Sequence, residues 1–234
     1  MLTKRKIASI NGLTQGYWTK EIQKPYFLDL ASGKEIGHRI ADLVDDKTAA
    51  ILTSEYLVKH EYSNRGKRKY RSMGDIWLEQ NKIYHPINIK TGIVGREGQP
   101  NLVSIKKLIA GLLADRIDSY YLLIVKFDLS EISCATYMVD MLDYLNYVTF
   151  DAGPGQAMLM ANKFFAAQSG STHIPKRTMK EKIEKLMTLI KSGHQRLTEN
   201  RADSLKLYQE KVRDYLRSDQ HSVTVETQKE LNLR

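Results

Sequence analysis

S-M-G-D-I-W-L-E-Q-N-K-I-Y-H-P-I-N-I-K-T-G, residues 72–92, decides how the rest of the chain is read. Its first half alternates around Ile76 and Leu78 and then reaches the polar pair Gln80 and Asn81. Its second half alternates again, with Ile83, His85, Ile87 and Ile89 on one side and Tyr84, Pro86, Asn88 and Lys90 on the other. A period of two on both sides of a short polar turn predicts a β-hairpin. Pro86 has no N–H to donate, which predicts an edge or bulged start for the second strand. Because side chains alternate along a strand, Asn88 and Lys90 share a face and Ile89 turns to the core. Asp75, on the first strand, can reach the face of Asn88 and Lys90. An acid, an amide oxygen and a lysine gathered there can hold Mg²⁺ beside a phosphate, since Mg²⁺ takes oxygen ligands and commonly binds through one or two carboxylates.

Working outward, 234 residues suffice for one sizeable domain, or one domain with a smaller helical appendage. A net charge of +9 and a pI near 9.4 favour a polyanionic partner. The lone Cys134 excludes an intramolecular disulfide and any cysteine-based zinc cluster. The first residues carry basic side chains but no apolar run of signal-peptide length. No apolar stretch approaches the roughly 18 residues of a membrane span. A cytoplasmic protein with no membrane partner is the expectation.

The elements around the hairpin predict an α/β fold, a mixed central sheet flanked by helices, with a helical C-terminal region. Aromatics broken by glycine and Pro25 suggest a short element and a turn over residues 13–30. Ile36, Ile40, Leu43 and Val44 give a helix over 33–46, and 52–62 reads as a strand. Asn101 can cap a helix over 102–113, and the near-continuous apolar run 119–127 suits a central strand covered on both faces. Residues 131–143 fit either a strand or a helix, and 143–150 reads as a strand. The turn D-A-G-P-G-Q, residues 151–156, leads through Pro154 into a helix ending near 168. The composition changes at Gly170, which divides the chain into a core over 1–169 and a basic helical region over 170–234. That region predicts two amphipathic helices, 180–191 and 195–217, separated at Ser192 and Gly193. They can cover the sheet, clasp DNA or form a dimer interface.

Two polar stretches flank the hairpin. N-R-G-K-R-K-Y-R, residues 64–71, sets Arg65, Lys67, Arg68, Lys69 and Arg71 just before the first strand, as a solvated face or as a contact to phosphates. The glycine-rich stretch after Lys90 holds Arg96, Gln99 and Asn101. It is either a surface connection or a loop that reads base edges, since arginine pairs with guanine and glutamine with adenine.

D-I-W-L, followed nine residues later by N-I-K-T, resembles the catalytic core of the PD-(D/E)xK nucleases, in particular the type II restriction endonucleases. The resemblance implies a restriction-endonuclease-like fold and a sequence-specific double-stranded DNA endonuclease. It implies Mg²⁺ as cofactor, 5′-phosphate ends, membership of a restriction–modification system and a homodimer acting on a symmetric site. Asp75 then takes the first acid's place, Asn88 the second acid's place and Lys90 the lysine's. The Ile89 carbonyl joins Asp75 and Asn88 as a metal ligand, and Glu35 is the further acid that a nearby helix carries. Glu35 also fits a solvated first-turn glutamate favoured by the helix dipole. The chain departs from the pattern twice, with Gly74 where proline is usual and the amide of Asn88 where an acid is usual. The alternative reading is therefore a nuclease-fold DNA-binding protein with impaired or absent catalysis, and a third is a basic structural protein without a nucleic-acid role. Serine, cysteine and glycoside-hydrolase chemistry find no matching motif.

Overall fold

In the computed structural model, residues 1–27, 36–56, 58–59, 73–95, 99–170, 174 and 177–231 are described. The fold is α/β, built on a mixed five-stranded sheet of order β1-β2-β3-β5-β6. Its strands are β1 (Val58–Lys59), β2 (Ile76–Gln80), β3 (Ile83–Ile93), β5 (Tyr121–Asp128) and β6 (Ser133–Asp140). β1–β2, β2–β3 and β5–β6 pair antiparallel, and β3–β5 pairs parallel, Ile87 opposite Tyr121 through Ile93 opposite Phe127. A second sheet, β4-β8-β7, comprises β4 (Asn101–Ser104), β7 (Val148–Asp151) and β8 (Gln156–Leu159). The helices are α1 (Lys4–Glu21), α2 (Ile36–Glu55), α3 (Ile105–Leu113), α4 (Ala161–Ser169) and α5 (Met179–Leu231).

Alternation along the central strands creates two cores. Ile76, Leu78, Ile87, Ile89, Leu123, Val125 and Phe127 face α1 and α2, meeting Ile10, Trp18, Ile40, Val44 and Leu52. Leu122 and Ile124 face the other way, toward Leu108 of α3, the second sheet, Phe164 of α4 and Leu186 of α5. The β6 edge is closed by α1 without a strand. Gln15 Nε2 donates to the Cys134 carbonyl at 2.6 Å, and Gln15 Oε1 accepts from Thr136 N at 2.7 Å. Such a cover removes an open template for strand pairing.

The hairpin forms as its alternation predicts, with its turn one residue further on. Asn81 and Lys82 both have positive φ, 55° and 63°, as the two central residues of a tight I′ turn require. Pro86 does not mark an edge, because β3 lies between β2 and β5. It stands one residue before the parallel pairing with β5 begins at Ile87, so its missing N–H costs no ladder bond. The apolar run 119–127 becomes the buried central strand β5.

Elsewhere the elements differ from their sequence reading. Residues 4–21 are one helix whose buried residues Ile10, Thr14, Trp18 and Glu21 recur at helical spacing. Gly12 and Gly16 within it meet nothing that a Cβ would touch. α2 runs on through Glu55, and of the strand expected over 52–62 the described residues Val58–Lys59 form one; residues 57 and 60–62 lie outside the described residues. The helix expected from residue 102 starts at Ile105, after the strand Asn101–Ser104. Residues 133–140 resolve as a strand, and 145–147 form a short 3₁₀ turn before β7. Pro154 leads into β8 rather than a helix. The two C-terminal helices are a single one of 53 residues. Gly193 is a contact and not a break, for a Cβ there would lie 2.5 Å from the Phe150 carbonyl oxygen and from its ring. No described helix is long and apolar enough to cross a membrane.

Candidate metal centre

The site begins where β2 frays. Asp75 N donates to the Ile87 carbonyl at 2.9 Å, and the Asp75 carboxylate Oδ2 then accepts from Ile89 N at 2.7 Å. The side chain thus takes a ladder position that a further β2 residue would have filled. A strand residue directs its N–H and C=O to the same edge. The Ile89 carbonyl therefore faces the Asp75 side and leaves the β5 ladder to its neighbours. Gly74 has a structural reason to be glycine. A Cβ at this position would stand 3.0 Å from both the N and the O of Ile87 and 3.1 Å from the Ile76 carbonyl oxygen.

Asn88 lies on the opposite face of β3 between Ile87 and Ile89, the two residues to which Asp75 is hydrogen-bonded. It is 6% exposed, and its Nδ2 donates to the Leu102 carbonyl at 2.8 Å and to the Tyr120 hydroxyl at 3.0 Å. Tyr120, fully buried, donates its own hydroxyl to the Met73 carbonyl at 2.8 Å. Burial pushes the Tyr120 pKa far above its usual range, and the negative charge of Asp75 adds to the effect. Asn88 Oδ1 is buried with no hydrogen-bond partner among the described residues. An acceptor left in that state costs about 1–3 kcal/mol and asks for an explanation.

Lys90 stands two residues beyond Asn88 on the same face, half-buried, opposite Ile124 across the parallel ladder. Farther along, Gly92 faces Lys126, whose Nζ lies 4.2 Å from the centre of the Phe165 ring. The structure therefore brings Asp75, Asn88, Ile89 and Lys90 together on adjacent strands, in the N-terminal half of the parallel pair, where Asn88 stands opposite Leu122. Asp75 and Asn88 supply hard oxygens, Ile89 a backbone oxygen, and the orphaned Oδ1 is the acceptor that a small hard cation fits. Among the described residues no three His, Cys, Asp or Glu side chains gather as a metal site, so this set depends on an amide and a carbonyl.

The remaining residues singled out in the sequence fare differently. Glu35, Arg65, Lys67, Arg68, Lys69, Arg71 and Arg96 lie outside the described residues. Asn101 opens β4, exposed, one residue before the Leu102 carbonyl that holds Asn88, and so does not cap a helix. Gln99 is exposed at a cleft of about 260 Å³ between the second sheet and α5, with Thr149, Asp151, Arg196 and Asn200. Arg196 already donates to Thr149 Oγ1 at 2.8 Å and to the Phe150 carbonyl at 3.0 Å. Tyr120, Leu102 and Met73 are the participants that the sequence hid. Tyr120 reads as one more apolar residue of a strand, and nothing local ties it to an asparagine 32 positions earlier.

Two other polar clusters hold the fold together. Lys182, buried, lies 3.2 Å from Asp140 and 2.8 Å from Asp143, anchoring the start of α5 to the end of β6. Burial opposes its charge, and the two carboxylates more than offset that, leaving its pKa above the ordinary lysine value. His85 Nδ1 lies 3.2 Å from Ser119 Oγ and 3.6 Å from Asp118. The serine hydroxyl donates to Asp118 at 2.8 Å, so the three do not form a nucleophilic relay. Compared with known proteins, the chain matches no family model and no curated protein sequence.

Proposed function

We propose that the chain is a Mg²⁺-dependent endonuclease acting on double-stranded DNA. The observation that carries this reading is the buried, unpartnered Asn88 Oδ1 beside Asp75, with Lys90 next along the same face. Asp75, Asn88 Oδ1 and the Ile89 carbonyl would hold the ion. When bound, Mg²⁺ supplies a Lewis acid for the phosphoryl oxygens and acidifies water.

The residues themselves do the rest. Asp75 gives the site its negative charge and, through Ile89 N, fixes the β3 backbone whose carbonyl and side chains line it. Lys90 offsets charge that develops on the phosphoryl oxygens as the new oxygen–phosphorus bond forms. Breaking the bond from phosphorus to O3′ leaves a 5′-phosphate and a 3′-hydroxyl, the hydroxyl receiving a proton that originates in the attacking water. The basic run at 65–71 and the surplus of +9 supply phosphate contacts. Sequence specificity and a two-fold dimer belong to the same proposal, because a symmetric site is matched by protein symmetry. The second reading, a duplex-binding protein that does not cut, draws its support from the amide at position 88.

Incubating linear plasmid with Mg²⁺ separates the two. Discrete bands are the expected result, and an intact but shifted plasmid would favour the binder. Lys90→Ala is expected to lower the cutting rate at least about 100-fold, the scale of a lost electrostatic group, while gel-shift affinity is retained. Cutting within tenfold of the parent would remove Lys90 from the chemistry.

A further inference from the structure

The amide at position 88 can be understood as a lost carboxylate or as the group the site is built around. Its hydrogen bonds choose between these. The Leu102 carbonyl can only accept, so the atom 2.8 Å from it must carry hydrogen, and Asn88 cannot turn its amide over. The Tyr120 hydroxyl lies 2.8 Å from the Met73 carbonyl and 3.1 Å from the Leu102 carbonyl, both of which only accept, so its hydrogen goes to them and it accepts from the same Nδ2 at 3.0 Å. Both contacts pin Nδ2 on one side and leave Oδ1 buried on the other, without a hydrogen-bond partner among the described residues. An ionised aspartate here would set an oxygen against the Leu102 carbonyl with no hydrogen between them, at a place 6% exposed and beside Asp75.

We infer that the neutral amide of Asn88 is the working ligand of the centre, and that Tyr120 is the positioning residue that aims its oxygen. The inference rests on the metal-centre reading above. An aspartate at 88 would then fail to repair the site. Protonated, it would imitate the amide by donating to Leu102; ionised, it would lose that bond.

The test is urea unfolding of full-length Asn88→Asp at neutral pH, with Mn²⁺ as the metal probe. Without the Nδ2 hydrogens the bonds to the Leu102 carbonyl and the Tyr120 hydroxyl are lost, and the folding equilibrium constant should fall about 10- to 100-fold, the cost of a buried unsatisfied group. Thermal stabilisation by Mn²⁺ at neutral pH, with and without linear plasmid, should be weaker in Asn88→Asp. In Tyr120→Phe the Mn²⁺ concentration needed should rise about 2- to 10-fold, the worth of one net hydrogen bond. An Asn88→Asp protein as stable as the parent at neutral pH and more strongly stabilised by Mn²⁺ would overturn the inference while leaving the metal centre standing. No stabilisation of the parent by Mn²⁺, with Asp75→Asn indistinguishable from it, would remove the centre and the inference together.

Discussion

Asp75 was legible because an acid ahead of an alternating strand stands out, and Asn88 and Lys90 because period two puts them on one face. What the sequence could not show is how each is held. The Asp75 carboxylate closes a strand ladder, and Asn88 is oriented by a carbonyl from β4 and by the hydroxyl of Tyr120 just ahead of β5, both distant in sequence. Glycine at position 74 looked like a departure, yet it is dictated by backbone packed 3.0 Å away. His85 illustrates the same gap between pattern and environment. It alternates with isoleucines and is buried with them, and burial lowers its pKa below the ordinary 6.5. A histidine protonated more readily unfolded than folded contributes stability that is present above 6.5 and lost as pH falls through the folded value. His85→Gln should therefore flatten the decline of the urea midpoint on acidification below that pH. An unchanged slope would assign the acid sensitivity to other groups.

At the scale of elements, the hairpin and β5 were readable because each satisfies its own period locally. Two of the misread elements share a cause, which is a glycine that reads as a break inside a continuous helix. Gly12 and Gly16 make α1 look broken although a side chain at either would meet nothing, and the spacing of Ile10, Thr14 and Trp18 prevails. Gly193 read as the gap between two helices, whereas it lets one continuous helix cross β7 at close range. β4 and β8 are four residues each and make sense only as partners, so no local pattern exposes them. Gly193→Val should push α5 from Phe150 and cost about 1–3 kcal/mol, the usual penalty of overpacking. Urea unfolding measures it, and a cost below about 0.5 kcal/mol would show that the crossing gives way.

Across the molecule, α5 divides into an anchored start and an outward reach. Lys182 and Leu186 are buried in the body, and Arg196 still binds β7. Every side chain from 201 to 214 is exposed, Leu205, Tyr208 and Val212 among them. Ending the chain after residue 200 should shift the melting temperature by no more than about 2 °C, as for surface changes. Ending it after residue 169 removes the partner of Asp140 and the Leu186 plug, and should unfold the protein or lower its melting temperature by several times that amount. A melting temperature that rises with concentration in the full chain, and no longer does so when the chain ends after residue 200, would show that a second copy covers the outer helix.

The proposed activity depends on one charged oxygen ligand, so Asp75→Asn is the sharpest variant. The amide keeps an acceptor for Ile89 N and spares the fold, while the negative charge at the centre is lost. The decisive measurement is cleavage of linear plasmid across a Mg²⁺ titration by the parent and by Asp75→Asn, with melting temperatures recorded for both. The expected result is Mg²⁺-dependent cutting by the parent that leaves ends ligatable without added phosphate, and at least about a 100-fold loss in a variant that melts like the parent. Absence of Mg²⁺-dependent cutting by the parent, or equal cutting by a folded Asp75→Asn, would contradict the assignment.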